Sequence, residues 1–142
     1  MVETALNRQI GGNHYKHLEY QPITFMRDVN LDIALSYALK YVARYPLKNK
    51  DDLDKAIHCI EIFQEYILEK GTAYLPPIQF NAAYKFSKQF SGQQMKTIQA
   101  ILACQDLEIC SYGGAEFDPS LLNKHVNEAI QEIEELRNEN RI

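Results

Sequence analysis

The sequence predicts an all-α fold, a compact helical domain of about six helices with a long C-terminal amphipathic helix. Three observations predict it. Apolar residues recur at steps of three and four, as in Leu53, Ala56, Ile57, Ile60, Phe63 and Ile67. The 6 glycines and 5 prolines are few and fall between such periodic segments. No stretch shows a convincing strand alternation of apolar and polar residues.

The elements follow in order. A short helix is expected from Pro22 to about Val29. The next runs from about Asp32 to Tyr45 and stops before Pro46, because a residue ahead of proline is pushed out of the helical region. The third starts near Asp51 or Asp52, with acidic residues in its first turn, and ends at Gly71. The stretch "GTAYLPP", Gly71 to Pro77, is the best internal boundary. It separates residues 1–70 from residues 71–142, which are read as parts of the same domain. A helix near Ile78–Phe90 and another near Gln93–Cys110 are split by Ser91-Gly92, and Gly113-Gly114 breaks the chain again. Asp118-Pro119 is a helix start, an N-cap followed by proline at the first position. The last helix then runs to about Asn138.

At 142 residues the chain is one domain with room for a real core. The hydrophobic fraction of 46% and charged fraction of 24% are those of an ordinary soluble protein. A formal net charge of -4 argues against a general nucleic-acid binder. No apolar run approaches the ~20 residues of a membrane span, and Met1 to Arg8 lack the apolar core of a signal peptide. The 3 cysteines, Cys59, Cys104 and Cys110, sit in apolar helical patterns and read as reduced thiols of a cytoplasmic protein.

Chemistry-bearing residues gather in the first half. "QIGGNHYKHLEYQPITF", Gln9 to Phe25, joins Gly11-Gly12 to His14, Tyr15 and Lys16. A phosphate loop of the G-x-x-x-x-G-K-[ST] kind is absent there, so the glycines read as the hinge of an arm. In the second helix Tyr37, Lys40 and Arg44 fall within a ~60° sector. Leu31, Leu35, Ala38, Leu39 and Val42 take the opposite, core-facing side. Two cations one turn apart repel, which a phosphate site would tolerate. The alternatives are a solvated face, or ion pairs with carboxylates of the next helix.

Metal-binding signals are weaker. Asp54, His58, Glu61 and Glu65 share the outer face of the third helix and read as a solvated face rather than a metal site. Glu132 and Glu135 have the E-x-x-E spacing of all-α nucleoside triphosphate pyrophosphatases, without a second acidic pair after them. In the last helix Leu122, Val126, Ala129, Ile133 and Leu136 form an a/d seam. That seam packs on its own domain or on another subunit, and an even-numbered homo-oligomer is expected.

"GGNHYK", "LKYVARY" and "KNKDDLDKAIHCI" occur in this order. Together they resemble a family of small helical phage proteins, SaV-like or nucleotide-kinase-like. The family carries an early His-Tyr, an aliphatic-Lys-Tyr-x-x-Arg helix, and a Lys before acidic-Asp-Leu-x-Lys-Ala. The matching positions are His14 and Tyr15; Lys40, Tyr41 and Arg44; Lys48; and Asp51, Asp52, Leu53, Lys55 and Ala56. The likeness ends near Glu69. Where family members often have an aromatic pair, this chain has His58-Cys59. One coliphage relative is a nucleotide kinase that acts on deoxynucleoside monophosphates without a P-loop.

The resemblance implies a nucleotide site with His14, Tyr15, Lys40, Tyr41, Arg44, Lys48 and Lys55, and the reading of the residues adds Lys16 on the glycine-hinged arm and Tyr37 as a ring on which a base could stack. Residues and resemblance together lead to one expectation: a phage-encoded binder of a small phosphate-bearing nucleotide, used to sequester a host defence signal. The alternatives are a P-loop-less nucleoside monophosphate kinase, which would recruit magnesium, a pyrophosphatase-like hydrolase, or a ligand-free helical adaptor. As a binder the protein needs no metal and no other cofactor.

Overall fold

The structure, a computed structural model, describes residues 4–6, 8, 15, 17–46, 51–71, 75–105 and 118–139. Among these residues there are six helices and no strand: α1 (Pro22–Val29), α2 (Ile33–Ala43), α3 (Asp52–Lys70), α4 (Phe80–Ser87), α5 (Gly92–Ala103) and α6 (Pro119–Glu139). The protein is all-α, as expected, and the long C-terminal helix is present. No described helix is long and apolar enough to cross a membrane.

Local chemistry explains the ends. Pro22 opens α1, where its missing N–H costs nothing. Asn30 closes it in the left-handed conformation (φ 52°), one that Asn tolerates better than most residues, and its N–H bonds to the Met26 carbonyl. Asp32 caps α2 by accepting from the Ala34 and Leu35 amides at 2.8 and 3.1 Å. Gly71 (φ 84°) ends α3 and its N–H bonds to the Ile67 carbonyl. Asp118 accepts from the Ser120 amide and hydroxyl, which starts α6.

Four helices form a closed ring. α2 packs on α3 and α5, and α6 packs on the same two. α1 and α4 pair with each other and lean on α2 and α5 respectively. The helices of residues 1–70 and those of residues 71–142 therefore share one core. Its aromatic part lies under α1 and α4, where Phe25 stacks on Phe86 with centroids 4.4 Å apart and Tyr20 sits edge-on to both.

The a/d seam of the last helix is spent inside this ring. Leu122, Val126, Ala129 and Ile133 are fully buried and Leu136 nearly so, on a helix that packs against α3 and α5 of the same chain. Of the two packings open to the seam, it takes the one on its own domain. Any assembly of copies would have to use another surface.

Two helices are shorter than expected. α4 stops at Ser87, and Gln89 turns inward to bond the backbone of Tyr20. α5 stops at Ala103, because Gln105 is drawn into the interior to bond Asn30, Asp32 and Pro76. Cys110 lies outside the described residues. Cys59 is half-buried and Cys104 buried, both free thiols, and burial with the nearby Glu128 pushes the Cys104 thiol up to about 12.

Candidate functional site

The corner between α2 and α3 is where the sequence-predicted residues meet. α2 ends at Ala43 and Arg44 is its C-cap, so the guanidinium leaves the helix at its last turn. The chain turns through Tyr45-Pro46, a cis peptide bond, before α3 begins. The new helix brings Asp52 back to Arg44. Nε and Nη2 each donate to one Asp52 oxygen at 2.9 Å, a bidentate pair. Both side chains are buried, at 9% and 0% exposure. Burial alone would lower the Arg44 pKa, but the hydrogen bonds and charge of Asp52 outweigh it and raise it.

Aromatic rings frame the pair. The Arg44 guanidinium lies 5.0 Å from the centroid of the Tyr41 ring, and the Lys55 ammonium lies 5.8 Å from that same centroid. Tyr15 reaches the corner from the N-terminal segment, its hydroxyl donating to the Lys40 carbonyl at 3.4 Å. Burial raises the Tyr15 pKa, and the adjacent Arg44 charge opposes that rise. Behind the corner, Gln94 of α5 donates to the carbonyls of Val42 and Tyr45 at 2.8 and 3.0 Å, adding to the Tyr45 N–H bond at Val42 and capping the end of α2.

Tyr15, Tyr41, Arg44 and Lys55 are thus brought together, with Lys40 taking part through its carbonyl. Lys40 is half-buried, Lys55 exposed, and Tyr37 stands 50% exposed one turn before Tyr41 on α2. His14, Lys16 and Lys48 lie outside the described residues, as do Gly11 and Gly12. One expectation needs revising. Arg44 was placed with Lys40 on an outward strip, but it is buried and committed to Asp52. The ion pair with the next helix, the weighed alternative, is the geometry observed. Asp52 stands within the motif, yet only its return at the start of α3 marks it as the partner.

The acidic candidates are elsewhere. Asp54, His58, Glu61 and Glu65 are exposed, and Asp54 pairs with Arg137 of α6. Glu132 accepts from Gln93 at 2.6 Å while Glu135 is exposed. Among the described residues no group of three or more His, Cys, Asp or Glu side chains could hold a metal ion.

Residues 10–61 match the profile of a family described as "Protein of unknown function (DUF3310)". That stretch is a little over a third of the chain and contains every residue of the corner except Gln94. Its description carries no activity. No curated protein and no solved structure matches the chain.

Proposed function

We propose that the chain binds a small phosphate-bearing nucleotide at the α2–α3 corner, and that it is a phage-encoded protein that sequesters such a molecule. One observation carries the reading: Arg44 and Lys55 converge on the Tyr41 ring, and Tyr15 bonds the Lys40 carbonyl beside it. The roles divide by burial. Arg44, held by Asp52, fixes the Tyr41 ring. Lys40 and Lys55, nearer to solvent, supply charge to phosphate oxygens. An exposed tyrosine such as Tyr37 offers a face on which a base can stack. Transfer of a phosphoryl group between nucleotides at this corner is the enzymatic version of the reading, and magnesium would then be recruited with the substrate.

A second reading, a helical adaptor with no ligand, is favoured by the Arg44–Asp52 pair, in which the buried guanidinium already has its counter-charge. Mass spectrometry of small molecules released from the purified protein, before and after incubation in infected-cell extract, separates these readings. An intact nucleotide supports sequestration and a chemically altered one supports an enzyme. No nucleotide in either sample supports the adaptor. With a ligand in hand, Lys40→Ala and Lys55→Ala should each lower affinity roughly ten- to hundredfold, the loss of a charge-assisted contact. Wild-type affinity in both variants would overturn the site.

A further inference from the structure

A pocket of about 360 Å³ opens between the 75–79 linker, α4 and the C-terminal end of α5. It lies wholly outside residues 10–61 and apart from the corner. Its walls are apolar: Pro77 and Ile78 from the linker, Ala83 from α4, Leu102 and Ala103 from α5. Phe80 and Tyr84, one helical turn apart, lie near-parallel with centroids 6.1 Å apart and an interplanar angle of 17°, and both border the pocket. Both rings are strongly exposed, 78% and 57%. Contiguous exposed apolar surface beside a concavity is a mark of a ligand-binding groove. The volume is within the range of small-molecule sites.

The polar atoms narrow the ligand. Gln105 is fully buried and its amide is already spent: Oε1 accepts from the Asp32 amide, and Nε2 donates to the Asn30 and Pro76 carbonyls. It makes that end of the pocket rigid and offers nothing to a guest. Ser87 turns its hydroxyl to the Tyr84 carbonyl at 3.5 Å. The Gln99 side chain makes no hydrogen bond among the described residues, so its amide is the group able to read a polar edge. No charged side chain lines the pocket among those residues, the Lys88 ammonium lying outside the lining at 5.5 Å from the Tyr84 centroid. An ion seated among the apolar walls would lose hydration without a partner in the lining.

We infer that this pocket binds a neutral, planar heteroaromatic molecule that stacks along Phe80 and Tyr84 and presents one hydrogen-bonding edge to Gln99. The inference stands on α4 and α5 and is independent of the nucleotide reading. Indole is a suitable probe, because the chain has 0 tryptophans and added indole fluoresces against tyrosine alone. The expected result is saturable binding, seen by fluorescence and by ligand-observed NMR. Ala83→Phe, which fills the cavity, and Phe80→Ala, which removes an exposed flank without touching the core, should each weaken it tenfold or more. Gln99→Leu should weaken indole while leaving indene, the same ring system without an N–H, unchanged. Benzoate should bind at least tenfold more weakly than indole, and Lys40→Ala should change nothing. Absence of saturable binding, or equal binding by wild type and Phe80→Ala, overturns the proposal. Should Ala83→Phe fail to fold, Phe80→Ala and Gln99→Leu decide it.

Discussion

Two helix junctions, the α2–α3 corner and the α5–α6 pair, close the same four-helix ring by different means. At the corner a buried arginine and aspartate meet bidentately, with a tyrosine ring beside the guanidinium. At α5–α6 the bulk of the contact is aliphatic, Ile98 and Ile101 on one helix and Val126, Ala129 and Ile133 on the other, all fully buried, with Gln93 and Thr97 hydrogen-bonded to Glu132 at its edge. The corner is directional, so it fixes one geometry and fails sharply when either partner is lost. The seam is non-directional and scales with volume, so it degrades gradually. Specificity is concentrated where the matched family segment ends its second helix, whereas bulk burial is shared between that segment and the half of the chain beyond it.

The comparison can be broken first at Asp52. Asp52→Ala should cost about 3–5 kcal/mol in urea unfolding, because it leaves the Arg44 charge buried without its partner. The double change Arg44→Met with Asp52→Leu sharpens the point and should recover most of that loss, since apolar groups of similar size need no partner. A double variant as unstable as Asp52→Ala would mean that the corner needs the pair for something other than charge balance.

Gln105→Ala is expected next, at about 1–3 kcal/mol, because it strips hydrogen bonds from the backbone of Asn30, Asp32 and Pro76. Ile133→Val should cost only about 0.5–1.5 kcal/mol, the usual range for one buried methylene in a seam that can relax. If chemical denaturation ranks Ile133→Val above Asp52→Ala, the contrast between directional and non-directional closure is wrong.

The smallest effect is a pH dependence at the start of α6. Hydrogen bonds from the Ser120 hydroxyl and amide hold the Asp118 carboxyl below the usual carboxylate range. A folded pKa below the unfolded one means stability that is present above the unfolded value, about 4, and lost as pH falls through the folded value. Asp118→Asn should therefore lower the melting temperature slightly at pH 7, and the difference should vanish in strongly acidic buffer. A difference that persists or grows in acid would assign the cap to something other than the ionised carboxylate.

The seam and the corner also differ in how legible they were. Leu122, Val126, Ala129, Ile133 and Leu136 announce themselves by spacing, and Gly71 and Asp118-Pro119 by residue type, because helical periodicity and capping are local. Whether the seam would meet its own chain or a second copy was not local, and the fold decided it. Tyr41, Arg44 and Lys55 could be picked out as a group. The burial of Arg44 could not, because it depends on a turn that returns Asp52 to the end of α2. The pocket was invisible for the same reason. Phe80 and Tyr84 read as ordinary helix residues until the linker and α5 supply the other walls.

Three glutamines show where the boundary of folding lies. Gln89 brackets the backbone N–H and C=O of Tyr20, Gln94 closes the end of α2, and Gln105 ties Asn30 and Asp32. All three stand outside residues 10–61, and every one of those backbone groups stands inside. The stretch that sequence likeness picks out is therefore not a self-sufficient unit. Excised, it would carry open carbonyls at Tyr20, Asn30 and Tyr45 along with its uncovered apolar faces. A protein that held this stretch in the same conformation would need donors at those three carbonyls from whatever sequence follows.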